Sequence, residues 1–178
     1  MSITALANAL PPYAEDLKIN LERISEESVL SDQQKWGCFL ACAFASGVPA
    51  LAQAIRDETD GRLAAEARWG AKAAAAMMGM NTVYYGAINL ISNHSYRSAP
   101  ANLSMNALTK PPVDKIDFEL WAFAVSAMSN CGACLNSHEA ELHKRGVTLD
   151  RVQSAVRIAA IINAIGLVLR GEAAMAGA

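Results

Sequence analysis

The sequence is poor in aromatic residues and contains no clear β-strand pattern. Aromatic side chains make up 6% of its 178 residues, whereas hydrophobic residues make up 53%, with alanine and methionine prominent among them. Small and unbranched side chains of this kind favour helices that pack closely. No stretch alternates apolar and polar residues over six or more positions with β-branched enrichment. The composition therefore predicts an all-α protein.

The sequence also lacks an excess of charge of either sign. Its formal net charge is -2 and its pI is about 5.9, so no basic stripe is available for phosphates and we expect no nucleic-acid partner. Two uncharged stretches, 36–55 and 73–96, approach the length of a membrane span. Ser46 to Pro49 interrupts the first, and several polar residues interrupt the second. We expect both to be buried helices, and we expect no membrane partner.

A secretory signal is not visible at the amino terminus. The first residues lack a basic segment and a small-residue cleavage pattern, and they are followed by Pro11-Pro12 and two acidic residues. This predicts a cytoplasmic protein. In a reducing compartment, four cysteines are more suited to buried thiols, metal ligands or redox catalysis than to structural disulfides.

Helix boundary signals recur along the chain, which is short enough for one all-α domain over 1–178. Ser31 begins a capping-box pattern, and Gly61 and Gly146 stand where helices could end. We expect six to nine helices from these signals.

The chain shows a weak internal repeat. Trp36 and Trp121 are 85 positions apart, and the same offset pairs Gly47 with Gly132. This predicts an N-terminal half at 25–95 that has lost the site residues, and a C-terminal half at 110–178 that carries them.

The segment Cys131-Gly-Ala-Cys134 is the most informative part of the sequence. Asn130 is a suitable N-cap, and the residues after it favour a helix up to Gly146. At a helix start, unpaired N–H groups and the helix dipole favour a thiolate over a thiol. The spacing places both sulfurs on one helix face, and His138 lies on that face one turn beyond Cys134, where it could accept or return a proton.

Three interpretations of the cysteine pair remain open at this point: a redox dithiol, half of a zinc site, and two packed thiols. Zinc has little support, because the sequence contains no second Cys-x-x-Cys segment. From position alone, Cys131 would be the nucleophile, since it lies nearer the helix terminus than Cys134.

Glu119 stands in an apolar run, 116–128. A carboxylate in such surroundings tends to have a raised pKa or a proton partner, and it could complete a relay with His138. The residues alone favour a different interpretation, an exposed glutamate near a helix start.

Several other reactive residue types are predicted to have no chemical role. Cys38 and Cys42, four apart in an apolar run, are expected to be small buried side chains. His94 and His143 are expected at the surface. The methionine cluster Met77, Met78 and Met80 is expected to be packing in the core or at a subunit interface.

The spacing of Glu119, Cys131, Cys134 and His138 resembles the pattern of the alkyl hydroperoxidase D family, within the carboxymuconolactone decarboxylase-like superfamily. The similarity also includes Met78-Gly-Met-Asn81, the segment 118–127 and parts of the first 37 residues, and so spans nearly the whole chain. It implies an all-α fold of two similar halves, a homotrimer, and thiol-dependent peroxidase activity in antioxidant defence. No cofactor or metal is implied as bound.

The resemblance also implies partners and roles. Electrons would come from the lipoyl group of a dihydrolipoamide acyltransferase and pass to a peroxiredoxin, alkyl hydroperoxide reductase C. Cys134 would be the peroxidatic nucleophile that becomes a sulfenic acid, Cys131 the proton donor and resolving thiol, and Glu119 with His138 the rest of the relay. Ala133 stands where close members often have histidine, so an auxiliary proton route through that position is missing.

Three alternative functions have different requirements. A disulfide-exchange adaptor would use the same residues with little peroxidase activity of its own. A carboxymuconolactone decarboxylase-like enzyme needs no cysteines, so the Cys131/Cys134 pair argues against it, and the same pair argues against a non-catalytic helical assembly protein.

Overall fold

A computed structural model describes residues 3–177. These residues form ten α-helices and one short 3₁₀ helix at Pro12–Ala14, with no β-strand among them. In chain order the α-helices are α1 Ile3–Asn8, α2 Glu15–Glu26, α3 Asp32–Ala45, α4 Pro49–Thr59, α5 Ala65–Leu90, α6 Ser95–Ser98, α7 Asn106–Thr109, α8 Lys115–Met128, α9 Gly132–Lys144 and α10 Leu149–Ala176.

The predicted all-α class is confirmed, but the expected number of six to nine helices is wrong. The described residues contain ten α-helices, of which α1, α6 and α7 have six, four and four residues. Helices of one or two turns are too short to show an apolar period in sequence, so boundary signals alone do not reveal them.

Helices α3 and α8 form the centre of the fold. Ten consecutive residues of each are buried, 34–43 in α3 and 117–126 in α8. Helices α5 and α10 each pack against both of them, and α9 packs against α8 and α5. A helix surrounded in this way is apolar on all sides, so the polar residues that it carries must find partners inside the protein.

Trp121 of α8 lies where three central helices meet. A Cβ atom at Gly37 of α3 would overlap its indole ring, and one at Gly70 of α5 would lie 3.0 Å from it. The indole Nε1 donates a hydrogen bond to the backbone oxygen of Gln34 at 3.1 Å. The two glycines therefore allow α3 and α5 to approach α8 closely.

Helix order along the chain follows the offset noted in the sequence. Helices α3, α4 and α5 have 14, 11 and 26 residues, and α8, α9 and α10 have 14, 13 and 28. Each helix of the second set begins 83 or 84 residues after its counterpart. The division into halves at 25–95 and 110–178 stays a prediction, because helix order does not test common descent.

One helix in the described part of the chain, α10, is long and apolar enough to cross a membrane by length and composition. Its 18-residue apolar window is 44% buried inside the protein, where α10 packs against α2, α3, α4 and α8. Neither uncharged stretch considered from the sequence coincides with it. The first of them, 36–55, is divided between α3 and α4 at Gly47, which has a φ of 67°.

The contact between Gly37 and Trp121 predicts a large difference between two glycine substitutions. Gly37→Ala should lower the free energy of unfolding by about 1–3 kcal/mol, because the new methyl group displaces a buried indole. Gly79→Ala in the interior of α5, where nothing lies within 4 Å of the added Cβ, should raise it by up to about 1 kcal/mol. Urea unfolding of both variants measures the difference. Equal stability of the two variants would contradict the close approach of α3 to α8.

Candidate dithiol site

The first turn of α9 begins one residue later than the sequence predicts. The expected N-cap, Asn130, has a left-handed φ of 51°, and Cys131 takes the N-cap position. The Cys131 sulfur accepts a hydrogen bond from the backbone N–H of Cys134 at 3.3 Å. Asparagine tolerates the left-handed conformation better than most residues, so it turns the chain out of α8 instead of capping α9.

Cys131 and Cys134 are joined as a disulfide across this first turn, with their Cα atoms 5.3 Å apart. Both residues are buried, with exposed fractions of 4% and 5%. The pair thus has the geometry of an oxidised dithiol.

Glu119 is buried in α8, so the interpretation as an exposed glutamate near a helix start is wrong. Only 4% of the residue is exposed. Its Oε2 accepts a hydrogen bond from Nδ1 of His138 at 2.5 Å, and its Oε1 forms an ion pair with Nζ of Lys115 at 2.7 Å. A buried carboxylate on an apolar helix needs such partners, and it has one on its own helix and one on α9.

Of the two possibilities predicted for Glu119, a raised pKa or a proton partner, the structure has the partner. Burial raises the pKa of this carboxyl group, but hydrogen bonds from His138 and Lys115 lower it by more, so the pKa lies below its ordinary value. The group is therefore a carboxylate near neutral pH, and it can only accept hydrogen bonds.

This carboxylate fixes the tautomer of His138. Because Glu119 only accepts, Nδ1 of His138 carries the hydrogen, and in the neutral ring Nε2 has the free lone pair. Nε2 lies 3.2 Å from the sulfur of Met78, which also lies 3.2 Å from the Ser126 hydroxyl oxygen. When Nε2 is protonated, its N–H group could donate a hydrogen bond to this sulfur, which is a weak acceptor.

A cavity of about 330 Å³ adjoins the reactive residues. The lining residues belong to α5, to α9, and to α7 together with Met105, the residue before it. They are Met78, Asn81, Tyr85, Met105, Leu108, Ala133, Cys134, Ser137 and His138. Cys134 and His138 both line it, as the face predicted from their spacing requires. Cys131 and Glu119 are not among the lining residues.

Three residues near the reactive side chains have roles that the sequence interpretation did not give them. Met78 is fully buried, as expected of packing, but it also touches the imidazole. Asn81 is in the cavity wall, and its place three residues after Met78 indicated a shared helix face. Lys115 is four residues before Glu119. This is the spacing of an ion pair within one helix, so the sequence alone could indicate the contact.

The two other cysteines and the two other histidines are arranged as predicted. Cys38 and Cys42 are completely buried free thiols, and burial raises the pKa of both. His94 and His143 are exposed. Between residues 3 and 177, no group of three or more His, Cys, Asp or Glu side chains is placed to hold a metal ion.

Comparison with known proteins gives a match to part of the chain first. Residues 95–176, which include all of α6, α7, α8, α9 and α10, match the family model described as carboxymuconolactone decarboxylase family.

Relatives that match nearly the whole length of the chain identify a more specific family. Alkyl hydroperoxide reductase AhpD of Maricaulis maris (strain MCS10) is 56% identical over 172 residues, which cover 97% of this chain and 99% of that protein. The proteins of the same name from Hyphomonas neptunium (strain ATCC 15444) and Streptomyces coelicolor (strain ATCC BAA-471 / A3(2) / M145) are 50% and 47% identical. In both cases at least 98% of each chain is covered. The chain belongs to the AhpD family.

The two partners of Glu119 predict how its ionisation responds to substitution. In Lys115→Met the carboxyl group stays buried but loses one of two bonds that favour the carboxylate, so its pKa should rise. Carbon-13 NMR of the labelled glutamate carboxyl groups measures the midpoint directly. Lys115→Arg should keep the low midpoint, because a guanidinium can make the same ion pair.

The matched control is Lys110→Met, which removes the same charge from an exposed residue at the end of α7. Its Glu119 midpoint should equal that of the wild type. A low pKa in the folded state stabilises the fold above the pKa of the unfolded chain, and this stabilisation is lost as pH falls through the folded-state value. An unchanged midpoint in Lys115→Met would show that Lys115 does not hold the carboxylate.

Proposed function

We propose that this chain is a thiol-dependent alkyl hydroperoxide reductase that uses the Cys131–Cys134 dithiol. The observation that carries the proposal is the position of Cys134 and His138 on one cavity, with His138 held by the buried carboxylate of Glu119. The name of these relatives, alkyl hydroperoxide reductase, supports the same reaction class.

In the reduced protein, Cys134 is the nucleophile. Nε2 of His138 accepts the Cys134 proton, and Glu119 stabilises the imidazolium through its bond to Nδ1. The thiolate attacks the terminal oxygen of the hydroperoxide and the O–O bond breaks. Cys134 becomes a sulfenic acid, and the alkoxide leaves as an alcohol with a proton from Cys131.

The second half of the reaction forms the disulfide. The Cys131 thiolate attacks the Cys134 sulfur, and the hydroxyl group leaves as water with the proton that His138 had taken. Each turnover therefore consumes two thiols and one hydroperoxide, and gives one alcohol and one water. The proximity of the Cys131 and Cys134 sulfurs in the first turn of α9 supports a disulfide as the product of this sequence.

The cycle needs a dithiol reductant. We propose the lipoyl group of a dihydrolipoamide acyltransferase as the electron donor, a peroxiredoxin (alkyl hydroperoxide reductase C) as a further acceptor, and no bound cofactor. A homotrimer in the cytoplasm belongs to the same proposal. Reduction by dihydrolipoamide would proceed by thiol–disulfide exchange at Cys131 or Cys134.

A disulfide-exchange adaptor is the second candidate function, and it uses the same two cysteines. The burial of both cysteines counts against it, because thiol–disulfide exchange requires a partner's sulfur to reach one of them. The two functions differ in rate. Turnover of a peroxide by this chain alone, with dihydrolipoamide as reductant, decides between them.

Replacing Cys134 or Cys131 by serine should impair the reaction in different ways. Cys134→Ser should have no peroxidase activity and no oxidised intermediate. Cys131→Ser should not cycle, but hydroperoxide should oxidise it once at Cys134, because the nucleophile remains and the resolving thiol is gone. A sulfenic-acid trapping reagent followed by peptide mass mapping measures this. Trapping at Cys131 in Cys134→Ser, with none at Cys134 in Cys131→Ser, would reverse the two roles.

A further inference from the structure

Asn81 has an unsatisfied polar side chain in the wall of the cavity beside Cys134. The residue is 5% exposed, and its Oδ1 is closed off from water. Within residues 3–177, no hydrogen bond reaches this Oδ1. A buried carbonyl oxygen without a partner destabilises a fold, so its presence in a residue that lines the cavity indicates that the side chain turns to a ligand there.

Asn81 differs from the other buried side chains that have an unpaired polar atom, because it lines the cavity beside Cys134. In the described part of the chain, the only other buried side-chain atoms without a partner are Nε1 of Trp36 and Nε of Arg151. Neither residue lines the cavity that contains Cys134 and His138. Arg151 also donates a hydrogen bond from Nη2 to Oε1 of Gln34 at 2.6 Å.

We propose that the Asn81 amide binds the terminal O–H group of an organic hydroperoxide and orients it towards the Cys134 sulfur. This inference rests on the proposed function and adds a substrate-positioning residue to it. The thiolate attacks the terminal oxygen, whose hydrogen stays with it and becomes the hydrogen of the sulfenic acid. Oδ1 of Asn81 can therefore accept the same hydrogen before and after the O–O bond breaks.

The remaining cavity lining includes apolar side chains that fit the alkyl part of the substrate. Met105 and Leu108 present apolar side chains there, and the Tyr85 hydroxyl faces the Met105 sulfur at 3.9 Å. An apolar group of a few carbon atoms can fill part of the roughly 330 Å³ and exclude water from the reacting atoms.

The test is the first oxidation of the reduced protein by tert-butyl hydroperoxide. Asn81→Leu should lower the rate constant for loss of the Cys134 thiol by roughly 10- to 100-fold, the loss expected when one oriented hydrogen bond in the transition state is removed. Asn81→Ala, whose side chain cannot clash, should show a similar fall. The matched control Asn89→Leu changes an exposed asparagine on the same helix, and its rate should stay within twofold of wild type.

Two further measurements separate substrate binding from a structural role. The reaction of the reduced dithiol with a small aromatic disulfide should be unchanged in Asn81→Leu, because that reagent lacks the O–H group. The thermal midpoint should be unchanged or higher, because the substitution removes an unsatisfied buried group. A lower midpoint with equal slowing of both reactions would overturn the inference in favour of a structural role.

The remaining outcomes are also decisive. If Asn81→Leu and Asn81→Ala react with the hydroperoxide at the wild-type rate, the inference is wrong and the proposed function stands. If hydroperoxide does not oxidise Cys134 in the wild type at all, the proposed function itself fails. If the variants slow only the reduction of the disulfide by dihydrolipoamide, the amide serves the electron donor, which also overturns the inference.

Discussion

The burial of the Glu119 carboxylate is the constraint on which the arrangement of the dithiol site depends. The carboxylate lies on a helix with ten consecutive buried residues, where an unpaired charge would be strongly destabilising. Lys115 and His138 satisfy it, and His138 thereby fixes the face that α9 turns towards α8. Lys115 also donates a hydrogen bond to the backbone oxygen of Leu108, a residue that lines the cavity. Lys115 therefore links the Glu119 carboxylate to the cavity wall.

Apolar packing places this carboxylate in space. Trp121, two residues after Glu119 on α8, is held between Gly37 and Gly70, and its indole nitrogen is bonded to the backbone of α3. The depth and rotation of α8 are set by that contact, which is far more sensitive to shape than an ion pair. Packing of small residues thus positions the helix, and electrostatics then selects the neighbours of the buried Glu119 carboxylate.

The sequence predicted the features that depend on local spacing. The all-α class followed from composition, and the shared face of Cys134 and His138 followed from their four-residue separation. Glu119 was harder, because a helix buried on all sides has no polar face against which an inward charge stands out. Asn81 could be placed on the same helix face as Met78, but only the packing of α5 against α9 shows that this face meets the cysteines.

The most direct test of the account is a titration of the fully reduced protein with one equivalent of alkyl hydroperoxide, with thiols and alcohol counted together. The account predicts one alcohol per chain and a fall from four thiols to two, with Cys38 and Cys42 still free because they are buried and their pKa values are raised. Alcohol release without loss of thiols, or loss of Cys38 or Cys42 in place of Cys131 and Cys134, would contradict it.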